Sequence, residues 1–152
     1  MYTTILTIHS WLRWVTLILA LAATANAFRS HDGPVSPMPG RWWDTSLMLA
    51  VDLQVLFGVL LYFGLSPYTR AAMEDFGAAI RSPSMRFWAV EHALGMFAAV
   101  VLVRMGRVMA MNASSAAGAR RRRLACFAVA TVLMLAAMPW PGLANGRPLF
   151  RN

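Results

Sequence analysis

The chain has little of what a soluble enzyme works with. Of its 152 residues 13% are charged, six are acidic, three are histidine and one is cysteine; an ordinary soluble domain carries about 25% charged residues. The lone Cys126 excludes an internal disulfide. No Cys-x-x-Cys or Cys-x-x-Cys-His pair occurs, which excludes thiolate zinc sites and the usual covalent attachment of haem. Cys126 reads as a small side chain packed near one end of a hydrophobic segment. No nucleophile with a base, and no group with metal-ligand spacing, shares a face, so nothing supports hydrolytic or metal-assisted catalysis.

Apolar residues fill the space left: 59% of the chain is hydrophobic, against roughly 45–50% in soluble proteins. This composition predicts an all-α integral membrane protein of one domain, residues 1–152. Four segments, Ile5 to Phe28, Ser46 to Leu65, Phe87 to Val103 and Leu124 to Trp140, are long enough to cross or nearly cross a bilayer, which takes about 17–25 apolar residues. They predict a four-helix bundle embedded in lipid.

The formal net charge is +8, yet the arginines are placed to punctuate spans rather than to track nucleic acid, and no nucleic-acid partner is expected. Arg104, Arg107 and the run Arg120 to Arg123 lie between the third and fourth spans, which the positive-inside rule makes cytoplasmic. Both termini then face outward, and Arg29 and Arg41 lie inside. The mixed charges Arg70, Glu74, Asp75 and Arg81 lie outside. The chain is expected to cross its membrane several times. The basic loop reads as a topology signal and lipid contact. Ala25-Asn26-Ala27 looks like a cleavage site, but no positive residue precedes the first apolar run and Arg13 interrupts it, so an uncleaved helix is expected.

Breaker residues mark the loops. His31 to Pro34 and Pro37 to Gly40 form a polar loop, followed by Trp42-Trp43 as an interfacial belt. Thr69 to Ile80, bracketed by Pro67 and Pro83, suits a short helix on the outer surface. Pro139-Trp140-Pro141-Gly142 ends the last span, and the tail from Asn145 is expected to fold over the outer face.

Polar residues within the spans point to function, because ionisable groups in lipid are costly and usually face a bundle interior or a ligand. His9 and His92 lie near the ends of separate spans at the same side and similar depth, whereas His31 is in a loop on the opposite side. His9 and Arg13 share a helix face with Thr16, Ala20 and Ala23, a stripe small enough to face a neighbouring helix. His92 is followed on its face by Gly95, Met96 and Ala99. Asp52 and Gln54 lie near the middle of the second span, with Gly58 and Tyr62 continuing the face of Gln54. Asp52 needs a cation, and Arg13 is the nearest candidate by depth. For each histidine alone, a hydrogen bond to a backbone carbonyl explains its presence as well; two at matched depth favour a shared ligand. Arg13 with Asp52 or Glu91 reads as a structural ion pair. The eleven methionines and the tryptophans read as packing and interfacial anchors.

The strings His9-Ser10-Trp11-Leu12-Arg13-Trp14, Leu53-Gln54 with Gly58 and Tyr62, Arg86-Phe87 leading to Glu91-His92, and Pro139-Trp140-Pro141 with Gly146-Arg147-Pro148 resemble a family of small four-span bacterial membrane proteins described as cytochrome b-like. The resemblance runs over nearly the whole chain through short motifs. It implies a non-covalent haem b within the bundle, with His9 and His92 as axial ligands of its iron. The family pattern has a histidine directly before the Leu-Gln pair, where this chain has Asp52. Gly95 would then provide the slot for the ring, and Arg86, Arg147 or Arg151 would contact the propionates. Such a haem-binding electron-transfer subunit would exchange electrons with a quinol or with another subunit. Two other functions fit the same residues: a cofactor-free accessory subunit of a larger respiratory or photosynthetic complex, and a quinone pocket formed by His92, Glu91, Tyr62 and Gln54.

Overall fold

The computed structural model describes residues 1–29, 41–143 and 145–150. His31 and Arg151 lie outside the described residues. Every regular element among those described is helical. Helix α1 spans Tyr2–Arg29, and α2 spans Arg41–Val59 and continues through a π-helical turn, Leu60–Leu65. Short helices α3 (Pro67–Glu74), α4 (Phe76–Arg81) and α5 (Pro83–Arg86) follow. A second π turn, Phe87–Glu91, leads into α6 (His92–Met111), and α7 covers Ala116–Ala136.

Three of these stretches, Tyr2–Arg29, Trp42–Leu65 and Pro83–Met111, are long and apolar enough to cross a membrane among the described residues. Helix α7 differs from the expected fourth segment because it starts at Ala116 and takes Arg120 to Arg123 into its own first turns. Arg104 and Arg107 are likewise helical, within α6. Arginine is a good helix former and its long stem lets the charge reach away from the axis, so these residues extend the helices that they were expected to end.

The long helices run alternately up and down, as three contacts at one end show. Arg123 of α7 meets Asp44 of α2, Arg104 of α6 meets Asp52 of α2, and Arg120 of α7 donates to the carbonyl of Phe28 in α1 at 3.2 Å. Helix α1 packs between α2 and α7, and α7 packs between α1 and α6, while α2 and α6 touch less extensively. The core at this arginine-rich end is built from small and medium side chains: Ala20 and Ala23 of α1, Leu47 and Val51 of α2, Ala99 and Val103 of α6, and Phe127 and Ala130 of α7. Burial of Thr16, Ala20 and Ala23 bears out the inward stripe on α1.

At the opposite end the segment expected as one short helix is two. Ser66 caps α3, with Pro67 in its first turn. Asp75 then interrupts the helix and caps α4, accepting from the Ala78 amide at 2.8 Å. Pro83 opens α5 in the same way. In the first π turn the Ser66 amide donates to the Leu61 carbonyl at 2.8 Å, an i→i+5 bond; π turns of this kind occur often at functional sites. The second π turn brings Arg86 and Glu91 to 2.6 Å, although residues five apart in an α-helix point in different directions.

Candidate functional site

The thin seam between α2 and α6 holds a cavity of about 440 Å³, within the range of small-molecule sites. Its wall is mostly apolar and includes Leu6, Val55, Leu61, Met96, Val100 and Met134. At the arginine-rich side the seam is closed by the Arg104–Asp52 pair and by Arg107, which donates to Thr45 at 2.8 Å. At the other side Tyr62 donates its hydroxyl to the Ala89 carbonyl at 2.6 Å. Leu94, Phe97 and Phe63 line the cavity while more than 60% exposed, so it opens sideways between these helices.

Both histidines of the long apolar helices, His9 and His92, line this cavity. Their ring centres are 6.4 Å apart and the ring planes cross at 73°. The Nδ1 of His92 lies 2.8 Å from the carbonyl of Ala137 in the turn after α7. A carbonyl only accepts, so Nδ1 carries the hydrogen and the Nε2 of the neutral ring keeps its lone pair; this is how metal-bound histidines are commonly oriented. Phe87 and Trp88, delivered by the second π turn, stand against the same ring at 5.9 and 5.8 Å.

His9 is set by α2. Gln54 donates to the backbone carbonyl of His9 at 3.1 Å and its amide nitrogen lies 3.3 Å from His9 Nε2. A side-chain carbon placed on Gly58 would sit 3.4 Å from Cε1 of His9, so the glycine leaves room for the imidazole. His9 Nδ1, Gln54 Oε1, Thr16 Oγ1 and Arg13 Nε are buried without a hydrogen-bond partner. All four residues line the cavity. Unmet polar atoms gathered in one place are costly in an apolar interior and ask for a ligand or water.

The other expected site residues fall in different places. Gly95 is not among the lining residues; a carbon added there would meet Ala137 Cβ at 2.8 Å, so this glycine lets α6 approach the end of α7. Arg86 is held by Glu91, and both are nearly half exposed away from the lining. Tyr62 and Gln54 do line the cavity with His92, while Glu91 does not. Arg147 reaches the cavity over the faces of Tyr68 and Trp88, at 4.8 and 5.1 Å from the ring centres. Arg13 corrects an expectation: its partner is not Asp52, which pairs with Arg104. Arg13 donates instead to the carbonyl of Leu149 in the tail at 2.7 Å. Helix α6 runs past its expected end and brings Arg104 to Asp52, and the returning tail occupies Arg13.

Trp88 and Tyr68 were the lining residues least visible in the sequence as chemistry, because an aromatic in or beside an apolar span reads as packing or as an interfacial anchor. Among the described residues no group of three or more His, Cys, Asp or Glu could hold a metal ion, so a metal here would depend on the two imidazoles and on donors of its own. No family model, curated protein or solved structure matches the chain.

Proposed function

We propose that this chain is a four-span protein of a bacterial cytoplasmic membrane that binds one haem b between His9 and His92 and passes electrons to or from a quinol or a neighbouring subunit. The observation that carries the reading is a pair of imidazoles from separate helices that meet in the wall of one apolar cavity. The two rings come from separate helices with centres 6.4 Å apart, so these imidazoles would hold the iron of the group.

The residues fit the group in three further respects. His92 offers Nε2 because Ala137 holds its Nδ1. Gly58 packs against the His9 ring without a side chain of its own, and buried polar atoms of His9 and Gln54 are unmet. A haem would supply one-electron chemistry, its potential set by the axial ligands, their hydrogen bonds and burial. The protein's part is to hold the imidazoles neutral and facing each other, to keep water away with Trp88 and Phe87, and to fix the His92 ring through Ala137.

A fourth span is supported by Val129 and Val132 of α7, 51% and 62% exposed on a helix packed into the bundle, where an apolar outer face suits lipid. With the arginine-rich end at the cytoplasm, both termini face outward. The deciding experiment is a reduced-minus-oxidised absorption spectrum of protein purified in detergent. A b-type band is expected, lost or converted to high spin in His9→Ala and His92→Ala but kept in His31→Ala. Protein without haem would return the chain to the class of accessory subunits.

A further inference from the structure

Two guanidinium groups border the cavity, and no acidic side chain is among its lining residues. Three other arginines have acidic partners, all outside the cavity lining: Glu91 holds Arg86, Asp52 holds Arg104 and Asp44 holds Arg123. Among the described residues Arg13 is anchored by carbonyl oxygens of the tail, at 2.7 Å to Leu149 and 3.5 Å to Pro148, and by the ring of Trp14 at 5.1 Å, and its Nε is buried with no partner. Arg147 rests on the rings of Tyr68 and Trp88. Aromatic faces and carbonyls orient a cation but leave its charge uncancelled. A cation held in a largely apolar setting is expensive unless an anion reaches it.

The tail makes the two groups one unit. Trp14 Nε1 also donates to Leu149 at 2.9 Å, and Phe150 stacks on Trp14 with ring centres 5.7 Å apart. A single short segment, residues 147–150, therefore ties Arg13 on α1 to Arg147 beside α3 and the second π turn.

We infer that Arg13 and Arg147 form a carboxylate clamp at the rim of the cavity, and that its ligand is an apolar body carrying acid groups rather than a neutral one. The inference deepens the haem reading, since haem propionates are such groups; a fatty acid has the same chemistry. A guanidinium offers paired donors to a carboxylate, and such charge-assisted bonds are about twice as strong as neutral ones.

The test is a Soret titration of the full chain in detergent with haemin and with haemin dimethyl ester, whose acid groups are masked. Wild type should bind the free acid about tenfold to a hundredfold more tightly, given roughly 1.5–3 kcal/mol for a hydrogen bond to a charged group. Arg13→Gln and Arg147→Gln should each reduce that preference, and Arg13→Lys should keep part of it. Equal binding of acid and ester by wild type overturns the clamp while leaving the haem reading intact, and needs no variant to fold. If neither porphyrin binds, the haem reading fails and the clamp is judged with oleate against methyl oleate. A tenfold preference for oleate that Arg13→Gln removes supports it, and equal or undetectable binding of the two overturns it.

Discussion

Arg123 of α7 and Asp44 of α2 meet at 2.6 Å, with side chains only 9% and 4% exposed. Asn26 of α1 stands beside the same guanidinium at 3.4 Å, so one buried pair ties three helices together at the arginine-rich end. Removing one member strands a charge, which commonly costs about 3–5 kcal/mol, whereas replacing both with apolar residues is often tolerated. Asp44→Asn should therefore lower the thermal midpoint in detergent sharply, and Asp44→Leu with Arg123→Met should recover much of the loss. A double variant no better than the worse single one would show that the pair is not the source of the effect.

The Arg104–Asp52 pair is half exposed on both sides, at 50% and 44%, and belongs to a weaker class. Exposed pairs contribute roughly 0–1 kcal/mol. Since Arg13 bonds the tail and Asp52 bonds Arg104, Arg13→Gln and Asp52→Asn should be additive to within about 0.5 kcal/mol, as for sites without shared partners. Strong coupling in a double-mutant cycle would restore Arg13 as the partner of Asp52.

Gly106 lets α6 and α7 pack closely: a carbon placed on it would lie 2.6 Å from Cys126 Cβ and 3.2 Å from the Phe127 ring. Gly106→Val should destabilise by about 1–3 kcal/mol through overpacking. Gly64, where an added carbon meets nothing within 4 Å, is the matched control, and Gly64→Ala should leave the unfolding midpoint near that of wild type.

Membrane sidedness gives a fourth expectation. A reporter fused after Asn152 should be active outside the cytoplasm, and one placed at Gly118, at the arginine-rich end, should be active inside. The inverse pattern would put His9, His92 and the tail on the cytoplasmic side.

Much of the fold was legible because hydrophobic length and small-residue stripes are properties of local sequence. The inward face of Thr16, Ala20 and Ala23 could be read from spacing alone, and the caps at Ser66 and Asp75 obey ordinary helix-start chemistry. Ion-pair partners could not be read in this way. Depth along a span suggested Arg13 for Asp52, and α1 does pack against α2, but depth says nothing of the direction a long side chain takes: Arg13 reaches the tail, and Arg104 reaches Asp52 from α6. Asp44 and Arg123 each stand at the edge of a hydrophobic run, where a charge passes for an interfacial residue, so their burial had no local signal. Gly95 and Gly58 show the same limit from another direction. Both are glycines one turn from a polar cluster, and only the packing of α7 and α1 reveals that the first meets a helix and the second an imidazole.

The two π turns give residue count a weight equal to residue identity. Each behaves as a one-residue insertion carried within a helix, and an α-helix advances about 100° per residue. Deleting one position other than Tyr62 or Trp88 from Leu60–Leu65 or Phe87–Glu91 would let the helix wind normally, rotating the flanking helical segment by about that angle. Tyr62 would then be carried away from Ala89, or Trp88 away from His92, with each of those side chains still present. Single-codon deletions in these two short stretches should thus be as damaging to the cavity as loss of a histidine, while a conservative apolar substitution at exposed Leu60, outside the lining, passes unnoticed.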